Sequence, residues 1–208
     1  MTAPPDKLDD YRKKRDFRKT GEPSAGGNPG SWADKRPVFV IQKHDASTLH
    51  YDFRIEVDGV LKSWAVPKGP STDPDEKRLA IPTEDHPLEY ADFEGTIPSD
   101  AYGGGTVLIW DRGSYSNLKE EEEDAGKSVS AQIDNGHVTI RLEGQKISGG
   151  YALIRTGRGD DARWLLIKMD DDQADARRKP TSTEPKSVKS GLDMEEIRQA
   201  VEKANGND

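Results

Sequence analysis

The sequence contains no cysteine among its 208 residues. This absence excludes disulfide bonds, a thiolate nucleophile and a zinc site built on cysteine. Proteins that work in a reducing compartment keep no disulfides. We therefore expect a cytoplasmic location.

The sequence also lacks a long apolar run. No stretch approaches the roughly 20 apolar residues that a membrane-spanning helix needs, and the first residues lack the charged and then apolar pattern of a secretory signal. We expect no membrane partner. Hydrophobic residues make up only 32% of the chain and charged residues 34%, which predicts polar ends around a compact middle.

An excess of positive charge is absent as well, because the formal net charge is −8. This value argues against a protein that coats nucleic acid through a broad basic surface. It does not exclude a local phosphate pocket, since several convergent cations are enough to hold one terminal phosphate.

Composition divides the chain into three parts. Residues 1–36 are polar and rich in glycine and proline, and they predict an N-terminal arm with a short helix at residues 8–18. Residues 37–169 predict one domain. Residues 170–208 predict a flexible polar tail, in which the apolar spacing at 193–204 is typical of a helix.

The middle part is rich in strand signals. Its β-branched and aromatic residues alternate with polar ones between turn residues. The predicted strands are residues 38–43, 49–57, 60–66, 106–111, 137–142, 150–156 and 164–169. This density of short strands predicts a mainly β protein with a compact antiparallel β-barrel.

Residues 49–57 alternate without exception between apolar and polar side chains. One face of this strand is therefore predicted to be core, while His50, Asp52 and Arg54 share the other face. A solvated sheet face usually carries Thr, Lys, Glu or Ser, so His-x-Asp-x-Arg indicates a site. His50 and Asp52 can converge on one metal ion, and His44 can return beside them to complete an open site of two imidazoles and a carboxylate.

The Asp-Gly pair at residues 58–59 predicts a two-residue hairpin. If Val57 pairs with Val60, then Arg54 lies opposite Ser63 on the same face of the sheet. The hairpin therefore adds a hydroxyl to the polar face.

The two remaining histidines differ in their sequence context. His86 precedes a proline, which holds it in an extended conformation and makes it a candidate for a positioned side chain. His137 begins an ordinary alternating strand, and we interpret it as structural.

Two segments together resemble the signature of the 3′-phosphoesterase domain of bacterial DNA ligase D. They are Gln-Lys-His at 42–44 and Leu-His-Tyr-Asp-Phe-Arg at 49–54. Further segments that resemble this family lie at 63–69, 85–87, 94–98, 102–107 and 164–168. The likeness covers about residues 8–170.

The resemblance implies a β-barrel that binds manganese, or another divalent metal, and heals 3′ ends at DNA breaks. The implied reactions remove a 3′-terminal ribonucleoside and then the remaining 3′-phosphate, which leaves a 3′-hydroxyl. The implied partners are DNA ends, including RNA-tipped ones. Because only one module of a larger enzyme is resembled, we expect a separate small protein that works with a separate DNA ligase and an end-binding protein, on the nucleoid of a bacterial cell.

The same resemblance implies roles for individual residues. The implied metal ligands are His44, His50 and Asp52. The implied catalytic residues are His50, Arg54, His86 and Tyr90, with His86 as either a general acid or a phosphate ligand. The implied substrate-binding residues are Ser63, Lys68, Arg78, Arg15, Asp16 and Glu22.

Two alternatives stay open. An iron and 2-oxoglutarate oxygenase would use a His-x-Asp pair at 50–52, His137 as the distant ligand and Arg141 as the cosubstrate anchor. That hypothesis leaves His44, Arg54 and His86 unexplained. A non-catalytic module that binds DNA ends is the other alternative, and it would hold a 3′-phosphate end in manganese without turnover.

Overall fold

The structure is a computed structural model that describes residues 6–24, 27–31, 33, 35–120, 127–157, 159 and 162–205. The strands are β1 Val38–Asp45, β2 Leu49–Val57, β3 Val60–Val66, β4 Lys77–Pro82, β5 Gly95–Ile97, β6 Gly105–Asn117, β7 His137–Gly144, β8 Ser148–Thr156 and β9 Arg163–Lys168. The helices are α1 Asp9–Lys13, α2 Val129–Asn135, α3 Pro180–Thr183, α4 Met194–Asn205 and a 3₁₀ helix at Leu88–Asp92. Within the described ranges, no helix combines the length and the apolar character that crossing a bilayer requires.

Eight strands form a closed antiparallel barrel. Their order is β1-β2-β3-β4-β9-β8-β7-β6, and β6 pairs back to β1. The short strand β5 adds to the first residues of β6. The predicted mainly β fold with an antiparallel barrel is confirmed.

The hairpin between β2 and β3 has the predicted register. Val57 pairs with Val60 and Arg54 with Ser63. Both turn residues, at 58–59, have positive φ values, of 50° and 82°, as the turn that matches strand twist requires. The register of the polar face follows from this local turn.

All seven predicted strands are present, but β4 and β5 were not predicted. β5 has only three residues, and β4 begins with two charged residues and ends at a proline. Neither segment therefore shows the sustained alternation that marks a strand. β4 nevertheless closes the barrel, because it pairs with both β3 and β9.

The barrel interior is one hydrophobic cluster. All eight barrel strands contribute buried residues, among them Phe53, Trp64, Trp110 and Tyr151. Side chains of α2 and α4 pack against the same cluster. The alternation seen in the sequence therefore separates a barrel interior from an outer face.

A second, smaller cluster lies on the outer face of β1, β3 and β6. Val40, Leu61 and Ile109 pack there against Tyr11 of the arm and Tyr90 of the 3₁₀ helix. The helix predicted at residues 8–18 is shorter in the structure, where α1 covers only Asp9–Lys13. Outside α1, the described residues of the arm are not helical.

The segment after β9 lies against the barrel. Trp110 Nε1 donates to Glu184 O at 2.9 Å, and Tyr51 OH donates to Thr181 O at 3.2 Å. The polar tips of barrel aromatics thus find their partners in a segment whose composition predicts a flexible tail. The helix predicted at 193–204 is α4, and its Ile197 is buried. The boundaries of arm, domain and tail stay predictions.

Candidate functional site

Three neighbouring strands place polar side chains on the outer face of the barrel. His44 comes from β1, Asp52 and Arg54 come from β2, and Ser63 comes from β3. These four side chains are buried, although they lie on the polar face of their strands. Tyr11 and Tyr90 of the second hydrophobic cluster lie close above them: Tyr90 contacts the Arg54 guanidinium, and both rings contact His86. The polar face is therefore a covered site rather than a solvated surface.

The predicted metal ligands converge. His44 and His50 are register partners in β1 and β2, and their ring centroids are 4.8 Å apart. Asp52 Oδ2 lies 3.5 Å from His44 Nδ1, and Asp52 Oδ1 lies 3.7 Å from His50 Nε2. One donor atom from each of the three residues lies within 4.8 Å of the other two.

The donor set fits a divalent ion. His44 Nε2 is buried without a hydrogen-bond partner, which costs free energy unless the atom binds something. His50 Nδ1 lies 2.8 Å from Thr48 O; since a carbonyl only accepts, Nδ1 carries the proton and Nε2 is left with its lone pair. Two imidazole nitrogens and one carboxylate suit manganese, iron or zinc.

Asp52 is held in its ionised form. Burial acts to raise the pKa of its carboxyl group, but Arg54, followed by His44 and His50, lowers that pKa well below its usual range. Arg54 Nη2 lies 3.0 Å from Asp52 Oδ2. The carboxylate is therefore ready to bind a cation at neutral pH.

The Arg54 guanidinium is fixed by its other contacts. Its Nε donates to Gln42 Oε1 at 2.8 Å, and its Nη1 lies 3.0 Å from His86 Nδ1. Gln42 in turn donates to the carbonyl oxygens of Tyr90 and Phe93. A guanidinium held in this way is positioned before any ligand arrives.

His86 is buried between two arginines. Its Nδ1 lies 2.8 Å from Glu84 O, and its Nε2 lies 3.3 Å from Arg15 Nη2. Burial, with Arg54 and Arg15, lowers the pKa of His86 well below its ordinary value. The imidazole is therefore neutral at pH 7.

The arm supplies an ion-paired cation. Arg15 Nε donates to Glu22 Oε1 at 2.8 Å, and Arg15 Nη1 donates to Glu84 Oε1 at 3.0 Å. Tyr90 OH also donates to Glu22 Oε1, at 3.2 Å. Burial raises the pKa of Tyr90 well above its ordinary value, so the hydroxyl keeps its proton.

One cavity of about 160 Å³ joins these groups. The predicted residues that line it are Arg15, His44, His50, Asp52, Arg54, His86 and Tyr90. Ser63 and Glu22 lie directly behind it, since Ser63 Oγ is 3.4 Å from His86 Nδ1 and Glu22 binds Arg15. The site therefore combines a cluster of metal-ligating groups with two guanidinium groups.

Three further predicted residues do not line the cavity. Lys68 is exposed just past β3. Arg78 binds Glu76, and the exposed Asp16 accepts hydrogen bonds from Arg18. The structure does not bring these side chains to the metal-ligating cluster.

The residues invoked for an oxygenase do not assemble. His137 and Arg141 are exposed residues of β7, and neither lines the cavity. The third candidate ligand beside the 50–52 pair is His44. The geometry therefore gives no support to the oxygenase hypothesis.

Sequence reasoning did not name Gln42, Glu84 and Tyr102 as site residues. Gln42 lies two residues before His44 in β1, so strand periodicity carried a signal for it. Glu84 lies two residues before His86 in an extended segment. Tyr102 lies in a loop, where no periodicity marks a face.

Comparison with known proteins gives concordant matches. Residues 42–155 match the DNA ligase D 3′-phosphoesterase domain. The multifunctional non-homologous end joining protein LigD of Pseudomonas aeruginosa is 51% identical over 168 residues, which are 80% of this chain and 19% of that protein. The corresponding protein of Mycobacterium tuberculosis is 48% identical over 164 residues, 79% of this chain and 20% of the relative. The chain thus spans about a fifth of the length of the curated relatives it matches.

Proposed function

This chain belongs to the family of DNA ligase D 3′-phosphoesterase domains, and from that premise we propose that it is a metal-dependent phosphoesterase that heals DNA 3′ ends. The proposed reactions remove a 3′-terminal ribonucleoside, as a phosphodiesterase, and a 3′-phosphate, as a phosphomonoesterase. The product is a 3′-hydroxyl that a ligase can seal.

One observation carries this proposal. His44, His50 and Asp52 converge within 4.8 Å, and Arg54 and His86 line the same cavity. A cation site next to fixed guanidinium donors is what a bound phosphate ester requires.

The chemistry divides between the proposed ion and the protein. A divalent ion bound by His44, His50 and Asp52, for which we propose Mn²⁺, would polarise a phosphoryl oxygen. Arg54 and Arg15 offset the charge that develops on the other phosphate oxygens in the transition state. Arg54 needs little rearrangement for this role, because Gln42 and Asp52 already hold its guanidinium.

The role of His86 depends on its protonation state. The neutral imidazole contacts Glu84 O through Nδ1, at 2.8 Å, and Arg15 Nη2 through Nε2, at 3.3 Å. A phosphate dianion raises the pKa of a nearby imidazole. We propose that His86 contacts the phosphate and that a general-acid role requires a proton taken up when the substrate binds.

Other predicted residues are proposed to orient the groups of the site or to contact the DNA outside it. We propose that Tyr90 and Glu22 orient Arg15 and that Ser63 orients His86. Lys68, Arg78 and Asp16 are proposed as contacts to DNA outside the cavity. These roles extend the site beyond the groups that would touch the scissile phosphate.

The names of the relatives describe multifunctional non-homologous end joining proteins. We propose that this chain works alongside a separate DNA ligase and a separate end-binding protein, which would supply sealing and end binding. The substrates proposed for this chain are DNA ends and RNA-tipped DNA ends.

The direct test is conversion of a recessed primer that ends in one ribonucleotide or in a 3′-phosphate, with and without Mn²⁺. We expect the wild type to yield a 3′-hydroxyl end, while His50→Ala and Arg54→Ala are inactive. His137→Ala serves as the matched control, because His137 lies outside the cavity. Tight binding of the phosphorylated end by a folded wild type that shows no turnover in any divalent metal would instead identify an end-binding module.

A further inference from the structure

Tyr102 is an exposed aromatic residue at the rim of the candidate site. Its side chain lines the cavity together with Arg54 and His86, yet it is 49% exposed. Among the described residues, the exposed large hydrophobic side chains are Leu49, Leu79, Tyr102 and Met169. Tyr102 is the most exposed of these and the only aromatic one.

The ring is anchored although it is exposed. Tyr102 OH donates to Glu84 Oε2 at 3.3 Å and lies 3.3 Å from Lys14 Nζ. The ring also faces two cations, with Lys14 Nζ 4.9 Å and Arg15 Cζ 5.4 Å from its centroid. An aromatic ring held at its polar tip offers a preorganised surface to a flat ligand.

The cavity is too small for a whole nucleotide. Its volume is about 160 Å³, whereas pockets that enclose drug-sized ligands start at about 300 Å³. A phosphate and an ion fit such a space, so the attached nucleoside must lie at the rim.

The neighbouring groove offers room for that nucleoside. It has a volume of about 500 Å³, shares Ala46 and Gly103 with the cavity, and is otherwise lined by glycines, serines and Asp45. Asp45 is paired with Arg198 at 2.9 Å. This groove therefore suits an uncharged sugar and base better than a second phosphate.

We propose that Tyr102 stacks on the base of the nucleoside attached to the scissile phosphate and so makes the enzyme prefer ends that carry a base over abasic ends. The proposal rests on the proposed function. Stacking suits an enzyme that accepts any sequence, because every base has a flat face.

The decisive quantity is a ratio of two efficiencies. The kcat/KM for removal of a 3′-phosphate is measured on a primer with an ordinary terminal nucleotide and on one with an abasic terminal nucleotide. For the wild type, we expect the kcat/KM on the ordinary end to exceed that on the abasic end by a factor of about 5 to 150. This ratio corresponds to the 1–3 kcal/mol that stacking on one base contributes.

Three variants separate stacking from other roles. Tyr102→Leu is expected to bring the ratio close to one, because only the efficiency on the base-bearing end falls. Tyr102→Phe keeps the ring without the hydroxyl group and is expected to recover most of the ratio. Leu79→Ala, at an exposed position of β4 away from the cavity, is the matched control and is expected to keep the wild-type ratio.

A second readout does not need turnover. A fluorescent adenine analogue at the primer terminus is quenched when an aromatic ring stacks on it, and we expect this quenching with the wild type and Tyr102→Phe but not with Tyr102→Leu. The measurement is made without metal, so a loss of catalysis cannot mimic a loss of stacking.

The proposal is overturned if the wild-type ratio is close to one. It is also overturned if Tyr102→Leu lowers both efficiencies equally, or if Tyr102→Phe is as impaired as Tyr102→Leu, since the hydroxyl contacts to Glu84 and Lys14 would then be what matters. A wild type that turns over neither end overturns the proposed function itself. Turnover with a ratio that stays the same when Tyr102 is replaced overturns only this inference.

Discussion

Arg54 Nη2 lies 3.0 Å from Asp52 Oδ2, and the two residues share one face of β2. The pair joins the candidate metal-ligating cluster to the side chains that are proposed to donate hydrogen bonds to the phosphate. Arg54 lowers the pKa of Asp52 while its other nitrogens contact Gln42 and His86.

Arg54→Lys is expected to lower kcat by about 100- to 1,000-fold, the usual cost of one lost transition-state donor. A lysine ammonium is a point charge and cannot keep the three contacts of the guanidinium. Steady-state kinetics on a 3′-phosphate end measures the effect. Arg177→Lys, at an exposed position, is the control and should behave as the wild type; an active Arg54→Lys would show that the planar fork is dispensable.

His44→Ala is expected to weaken Mn²⁺ binding by more than about 100-fold, because even the outer partners of metal ligands contribute 10- to 100-fold. Calorimetric titration of the protein with Mn²⁺ in the absence of DNA measures this directly. His137→Ala should bind the metal as the wild type does. Equal affinities of His44→Ala and the wild type would remove His44 from the metal site.

Glu22→Ala is expected to destabilise the protein by about 1–3 kcal/mol, because Arg15 keeps its ion pair with Glu84 but its buried Nε–H loses its acceptor. Arg15 and Glu22 are almost fully buried, and Tyr90 OH also loses its acceptor. Urea unfolding measures the loss. Glu202→Ala, on the exposed face of α4, should leave the free energy of unfolding within about 0.5 kcal/mol of the wild type.

Ile197→Ala is expected to cost about 2–5 kcal/mol, because Ile197 of α4 is 4% exposed and packs on the barrel cluster. Hydrogen exchange should show protected amides in α4 of the wild type and loss of that protection in the variant. Gln199→Ala is the control on the exposed side of the helix. Rapid exchange throughout α4 in the wild type would instead support the flexible tail that composition predicts.

The stability of the wild type is expected to rise with pH between about 8 and 10 through Lys146. Burial lowers the pKa of Lys146 to about 8, partly offset by Asp111 and Glu184, whereas an unfolded lysine titrates near 10.4. Between these values the unfolded chain binds more protons, so the free energy of unfolding increases with pH. Lys146→Met should lack this increase. Unfolding curves of both proteins at several pH values will show it as a difference in the slope of the free energy of unfolding against pH. Equal slopes for the two proteins would contradict the lowered pKa.

Much of the candidate site follows from local sequence. Strict alternation at residues 49–57 places His50, Asp52 and Arg54 on one face, and the Asp-Gly turn sets Ser63 opposite Arg54. Both signals act over a few residues and depend on backbone geometry alone. The arrangement of these four side chains is therefore the same in any fold that contains this hairpin.

Other parts of the site depend on contacts between distant segments. Glu84 binds Arg15, which is 69 residues earlier in the chain. No local sequence pattern predicts that contact. The same holds for the tail, whose carbonyl oxygens receive hydrogen bonds from Tyr51 and Trp110. Polar composition predicts solvent exposure, yet a polar segment can also lie along a barrel whose buried donors need partners.

The sequence by itself determined seven of the strands, the hairpin register and the polar face of β2, because strand periodicity and turn chemistry are local properties of the backbone. Only the tertiary structure decided that this face is buried under the arm, that Gln42 holds Arg54 while Glu84 holds Arg15, and that Tyr102 lies at the rim of the site. Those relationships arise from side chains that are far apart in the chain and meet only when the barrel closes.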